Sequence, residues 1–278
     1  MNPKVLVTGA GGFLGSSLIS LLKKNNINFF GILNIRDSQN VNSPNYIKCD
    51  LSESANVTRL LKKIKPDVIV NLAAKVDFET SIIEDLFEIN ILLPSLLASF
   101  SKKEKAFLIQ SSGIIVHGFQ HEIYSKDTPL TPALAYGKSK LLADELIMAS
   151  GCDCAILRIG GVFGKNGPAH LGINNAIKGA SEGKIPTIVG NGDALRNYIY
   201  VKDVSRSIIR CIKEKKTGIH YLGGEKKSMG EMLGDICNIF FDGKDPNFEN
   251  GDEVKDRLIT IDNSFPFTPF KEALKEIK

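Results

Sequence analysis

Tyr136 and Lys140 stand four residues apart in Tyr136-Gly-Lys-Ser-Lys140, a spacing that sets both side chains on one face of a helix. A tyrosine of ordinary pKa, about 10, is a poor base near neutrality. An ammonium beside it favours the phenolate, each tenfold gain in acidity being worth about 1.4 kcal/mol. Such a pair can give a proton to a ketone or take one from an alcohol. By itself Tyr-x-x-x-Lys is a common accident of helix surfaces, so its meaning depends on what else the chain builds. The second chemical signal is Thr8-Gly-Ala-Gly-Gly-Phe-Leu-Gly15. Gly9 permits a tight turn, Gly12 lets backbone N–H groups approach a pyrophosphate at a helix start, and Gly15 lets that helix pack closely on the preceding strand. Glycine triplets also arise for backbone reasons alone. Here a β-branched run precedes the turn and a helical pattern follows it, which is the context a dinucleotide site requires.

Further along, a dinucleotide fold places an acidic residue on the ribose 2′-OH. This chain instead has Asn34 and Arg36 in Phe30-Gly-Ile-Leu-Asn-Ile-Arg36. Asn34 can hydrogen-bond a hydroxyl and Arg36 can pair with a 2′-phosphate, so the reading leans towards NADPH or use of both NAD and NADP. Asp50, ending the next strand, can accept from the adenine amino group or help start a helix with Ser52.

Both signals need elements to hold them. Lys4 to Thr8, Phe29 to Leu33, Val68 to Leu72, Ala106 to Gln110 and Cys154 to Ile159 read as strands. Phe13 to Leu22, Val57 to Ile64, Ile82 to Phe100 and Ala133 to Ala149 read as the helices between them. That alternation predicts an α/β fold with a doubly wound parallel sheet, Rossmann-like, over residues 1–160. After Gly160 the alternation fades, and residues 161–278 are read as a smaller substrate-binding lobe with helices at 173–180, 204–212 and 230–240. Residues 200–223 are expected to pack back on the first domain, with Ile219 to Leu222 returning as a strand.

The 278 residues suffice for a substantial core. A hydrophobic content of 43% and a charged content of 24% suit a soluble globular chain. No apolar run is long enough to span a bilayer, and no export signal is visible. Five scattered cysteines show no Cys-x-x-Cys, arguing against a disulfide framework or a metal site and for a reducing cytoplasm. The net charge of +4 is spread along the chain without aromatic interleaving, so no nucleic-acid partner is expected.

Taken together, these motifs resemble the extended short-chain dehydrogenase/reductase family, the NAD-dependent epimerases, dehydratases and reductases that modify nucleotide sugars. The likeness runs through the glycine turn, Asp50-Leu51, Asn71-Leu-Ala-Ala74, Asn90, Ser111-Ser112, Tyr136 with Lys140, Leu157-Arg158 to Gly164, and Gly190-Asn-Gly192 followed by Arg196 to Asp203. It implies that Phe13, Leu14, Leu51, Ala73, Ala74, Asn90 and Ser111 line the cofactor with the glycines, and that Lys140 also holds the nicotinamide ribose. It implies a substrate diphosphate on Arg196, further substrate contacts at Asn174 and Asn175, and structural roles for Arg158 and Asp203. It also implies a homodimer through the helices at 82–100 and 133–149.

The family's serine or threonine hydroxyl, four residues before the aromatic of V-Y-G, falls on Gly113 here, because that motif reads Val116-His117-Gly118. Ser112 is favoured to take the role through a shift in the turn, with Ser111 the other candidate. The Asp-Glu pair of the dehydratases is replaced by Ile114-Ile115, which cannot transfer protons, so dehydration is disfavoured. Gly161 stands where many epimerases carry asparagine. The reading that results is an NAD(P)-dependent oxidoreductase of a nucleotide sugar. A 4-keto-sugar reductase is favoured over a 4-epimerase with tightly bound NAD, and a non-catalytic NAD(P)-binding sensor or scaffold is the alternative of another kind.

Overall fold

A computed structural model describes residues 3–35, 43–252 and 254–278. Seven strands, β1 (Val5–Thr8), β2 (Phe29–Leu33), β3 (Tyr46–Lys48), β4 (Val68–Asn71), β5 (Phe107–Gly113), β6 (Cys154–Ile159) and β7 (Gly218–Leu222), form one sheet in the order β7-β6-β5-β4-β1-β2-β3. The pairings from β3 through β5 are parallel, and the order reverses beside β1, the doubly wound arrangement expected from the alternation. β1 and β4 are buried along their whole length, which is why they read as unbroken apolar runs rather than alternating ones.

Side-chain alternation divides the work of the sheet's two faces. Leu6, Ile69, Leu108 and Ile156 share a core cluster with Val57, Leu61 and Ile64 of helix α2 (Ser54–Ile64), Leu93 and Leu97 of α3 (Leu93–Glu104) and Ile147 of α4 (Ala135–Ser150). Helix α1 (Phe13–Lys24) buries Leu18, Ile19 and Leu22 outside that cluster. The hydroxyl of its Ser17 lies 2.8 Å from that of Ser205 in the helix Val201–Glu214.

The predicted helix over 82–100 is broken in the structure. A 3₁₀ turn at Ile83–Leu86 leads into π-type turns at Phe87–Leu92, and only then does α3 begin. Pro94 supplies the reason, because it has no N–H to close an α-type bond on the carbonyl of Asn90.

The chain divides into two compact units, residues 1–119, 129–158 and 205–220 in the first and 120–128, 159–204 and 221–278 in the second. In the second, Phe163 stacks on Tyr200 with ring centroids 5.5 Å apart and meets Phe270 at 4.9 Å. Helices Gly172–Ser181, Met229–Phe240 and Phe270–Ile277 accompany four two-stranded pairings. The last helix was not anticipated from the sequence. All five cysteines are free thiols. Among the described residues no helix is long and apolar enough to cross a membrane.

Candidate active site

At the end of β1 the chain turns at Gly9, whose φ of +64° belongs to the left-handed region. A Cβ there would sit 2.9 Å from the backbone nitrogen of Ala73, and a Cβ on Gly15 would overlap the carbonyl oxygen of Gly9. The turn is therefore a bare backbone cradle. It leads into α1, which has Gly12 at its N-cap and no acidic residue in its first turn, so the unpaired N–H groups there suit an anionic group. Phe13 and Leu14 follow in the same turn, partly buried, as are Leu51, Ala73 and Ala74, while Asn34 is exposed just beyond β2. Asp50 accepts from the backbone N–H and hydroxyl of Ser52 at 3.0 and 2.6 Å, a local turn ahead of α2 and not the helix cap weighed from the sequence, since the N-cap is Glu53 and makes no side-chain capping bond. Arg36 lies outside the described residues.

Thr8, Asn71 and Gln110 sit opposite one another in register on β1, β4 and β5. They extend the face that carries Leu6, Ile69 and Leu108, and none is exposed to solvent. Thr8 Oγ1 donates to Asn71 Oδ1 at 2.5 Å, and Asn71 Nδ2 donates to Gln110 Oε1 at 2.8 Å. Gln110 in turn donates to the carbonyl of Ser111 at 3.0 Å. In the sequence Asn71 stands out only as part of a motif, and Thr8 and Gln110 do not stand out as site residues at all; their burial gives no local signal.

β5 runs straight through Ser111 and Ser112 to Gly113, so the shift expected for Ser112 does not occur. The two serines point to opposite faces. Ser111 Oγ donates to the backbone oxygen of Asn71 at 2.9 Å. Ser112 Oγ donates to Asp144 Oδ2 at 2.9 Å, on the α4 side. Asp144 also receives Arg158 Nε at 3.3 Å, and all three groups are buried. Ser112 thus spends its hydroxyl on a carboxylate that the sequence motifs do not single out. A signal existed, since Asp144 continues the four-residue spacing of Tyr136 and Lys140.

Tyr136 is half-buried, its ring packed edge-on against Phe78 at 5.3 Å between centroids. Lys140 is buried and donates from Nζ to the carbonyl of Ser111 at 2.6 Å. Burial pushes the Tyr136 phenol up to about 12, against the lowering expected from a neighbouring ammonium. Burial also brings Lys140 down to about 8, with Asp144 pulling the other way. Desolvation outweighs the attraction of Asp144 on Lys140, and desolvation alone moves Tyr136. A cavity of about 350 Å³ opens beside this helix start, lined by Phe78, Thr80, Ser81, Ile83, Leu134 and Lys138 among others.

Asn90 is buried and its amide clamps the backbone of Lys75, accepting from its N–H and donating to its carbonyl, both at 2.9 Å, while also donating to Ser139. His117 is buried too, its Nδ1 donating to the carbonyl of Pro129 at 3.1 Å.

The remaining sequence candidates lie in the second unit. Asn174 accepts from Gly164 N and donates to the carbonyls of Val162 and Pro168, and Asn175 donates to that of Ala169. Their amides hold a loop, which the substrate contacts expected of them did not anticipate. Arg196 donates from Nη1 to the carbonyls of Leu195 and Lys255 at 2.7 and 2.8 Å. It pairs in a β-bridge with Arg257, a second guanidinium that no sequence motif marks. Burial raises the Tyr198 phenol, and both arginines pull it back, Arg196 also through a hydrogen bond. A Cβ on Gly161 would overlap the Tyr198 ring, so the asparagine absent at 161 has no room. Asp203 receives the N–H and hydroxyl of Thr268 at 2.7 and 2.9 Å, and like Arg158 it takes part in structural contacts.

Comparison with known proteins points in one direction. The sequence profile of the NAD dependent epimerase/dehydratase family matches residues 5–224. The dTDP-glucose 4,6-dehydratase of Salmonella typhimurium is 27% identical over 85% of this chain and 76% of its own. The UDP-glucose 4-epimerase of Mycolicibacterium smegmatis is 27% identical over 75% of this chain and 72% of its own. A solved UDP-glucuronic acid 4-epimerase from Bacillus cereus, in complex with NAD, superposes with a TM-score of 0.82 at 24% identity, covering 98% of this chain and 94% of that one. This last likeness is one of fold.

Proposed function

The chain belongs to the NAD dependent epimerase/dehydratase family, and on that premise we propose that it interconverts a nucleotide-activated sugar with its 4-epimer, using NAD. The observation that carries the reading is the joint presence, in one unit, of a bare glycine turn at the start of α1 and of Tyr136 and Lys140 one helical turn apart on α4. The residues present fit a dinucleotide: Gly9, Gly12 and Gly15 leave a cradle that side chains would fill, and the α1 N-terminus faces it with unpaired N–H groups. A bound nicotinamide supplies the acceptor and donor of hydride.

The protein's own part is to hold the sugar and move its proton. Burial keeps Tyr136 protonated at neutral pH, the state that delivers a proton to a sugar carbonyl oxygen. Taking the proton from a sugar hydroxyl needs the phenolate, and the ammonium of Lys140 is the group that favours it. In the second unit, Arg196 and Arg257 offer guanidinium charge suited to a diphosphate. The same proposal includes a homodimer, for which the exposed apolar Phe87, Leu142 and Met148 are suited.

Dehydration lacks its acid and base, since Ile114 and Ile115 occupy the turn after β5. The reductase preferred from the sequence, because Arg36 permits NADPH, the dehydratase acids are absent and the second lobe is compact, has gained no specific support. The test is to release and quantify any dinucleotide carried by the purified protein, then to incubate it with UDP-, dTDP- and GDP-sugars. Formation of the 4-epimer without net NADH or NADPH turnover is expected. Stoichiometric coenzyme consumption on a 4-keto sugar would instead establish a reductase, and retained dinucleotide with no turnover would indicate a sensor.

A further inference from the structure

Asp144 is an unusual group to find in the interior. It lies one turn beyond Lys140 on α4 and is 2% exposed. Its Oδ2 accepts from both Ser112 and Arg158, whereas its Oδ1 has no hydrogen-bond partner. Burial raises the Asp144 carboxyl, while Arg158, Lys140 and the Ser112 hydroxyl pull it back towards the ionised form, and leaving the other oxygen bare in a low-dielectric interior is costly. Lys140 is equally enclosed, 3% exposed, with Nζ on the carbonyl of Ser111. A carbonyl accepts the hydrogen bond but carries no charge to balance an ammonium.

We propose that Asp144 is a positioning residue for this site: fixed by Ser112 and Arg158, its carboxylate is the counter-charge that keeps the buried Lys140 ammonium charged and seated on the Ser111 carbonyl. The inference rests on the role given to Lys140 under the proposed function. The surroundings support the assignment. Tyr136 on α4, Arg158 and Cys154 on β6 and His117 in the turn after β5 are the other titratable groups that these elements enclose wholly or in part, while Lys138 and Glu145 on α4 are exposed. Glu84, Asp85 and Glu88 before α3, and Lys102, Lys103 and Glu104 at its end, are exposed. Asp144, one helical turn away on the same buried face of α4, is the charge that pulls Lys140 back up against burial. The arrangement also gives Ser112 a use, to aim the carboxylate.

The test needs no substrate. With lysines ¹³C-labelled at Cε and the Lys140 resonance assigned from its loss in Lys140→Met, the titration of Lys140 is followed by NMR in the full chain. Asp144→Asn is expected to move the Lys140 midpoint down by about one pH unit or more, and Asp144→Glu to return most of the shift. Should Asp144→Asn fail to fold because Arg158 is stranded, Asp144→Asn with Arg158→Met is compared with Arg158→Met alone, and the Lys140 midpoint is expected to lie lower in the double variant, since only Asp144 differs between the two. A Lys140 midpoint unchanged in whichever of these comparisons folding permits would overturn the proposal, as a merely structural Asp144 would lower stability without moving Lys140. Absence of turnover on any nucleotide sugar would count against the proposed function and leave this titration unaffected.

Discussion

The ends of β1 and β5 invite comparison. Both are buried strands that run into glycine, and both carry hydroxyl side chains at their last positions. At the β1 end the working surface is backbone: Gly9 holds a left-handed φ, and no side chain fits where Gly15 passes the carbonyl of Gly9. At the β5 end the working surface is side chains, and the strand stays extended through Gly113, φ −146° and ψ 161°. There the hydroxyls serve partners far along the chain, Asn71 for Ser111 and Asp144 for Ser112. A site made of backbone is announced by residue type, whereas a site made of side chains is decided by what the fold brings opposite.

The comparison breaks if the β5 side carries no chemistry. Tyr136→Phe removes one hydroxyl and is expected to cost 10²- to 10⁴-fold in kcat, roughly the worth of a general acid–base, with the fold and dinucleotide retention unchanged. Steady-state epimerisation on the substrate found by the sugar screen measures it, and retained turnover would sink the proposed proton transfer. For the β1 end, Gly15→Ala adds a single methyl where none fits and is expected to lose about 1–3 kcal/mol of stability together with dinucleotide affinity. Urea unfolding and calorimetric NAD titration report on it, and normal binding would show that the cradle can widen.

The finest distinction lies between the two serines. Ser112→Ala strips a donor from the buried Asp144 carboxylate and should cost about 1–3 kcal/mol, while Ser111→Ala loses an ordinary bond to a backbone carbonyl, about 1 kcal/mol. Paired urea midpoints decide the order. Equal small losses, accompanied by a turnover defect in Ser112→Ala alone, would return the catalytic hydroxyl to Ser112.

How much of this was legible follows from the same contrast. β2 and β6 were read to the residue, because each is a mostly buried and mostly apolar run, with Arg158 the one charged member of β6, set off by Asn28 and Asn34 around β2 and by Asp153 and Gly160 around β6. The glycine turn and the Tyr136 and Lys140 pair were legible because each is local. The direction of the Tyr136 shift was not, since it depends on burial that no four-residue spacing reveals. The break in the helix before α3 followed from Pro94, present in the sequence but read through. The helix Phe270–Ile277 was legible and unread: its buried Phe270, Ala273, Leu274 and Ile277 recur at helical spacing. Asp144 with Ser112 and Arg158 needed two strands and a helix to meet, and pattern alone could not have brought them together.

The ladder of Thr8, Asn71 and Gln110 has a bearing on how the chain finds its fold. Its members are separated by 63 and 39 residues, yet each satisfies the next only if the three strands align in one frame. A slip of one residue in any one of the strands would turn its polar group to the opposite face, among apolar neighbours, and leave the group beside it without its partner. Hydrophobic residues alone would tolerate such a misalignment, because both faces of these strands are apolar. The ladder therefore sets the native frame of the three strands apart in energy from its one-residue neighbours, which the apolar residues alone would not do.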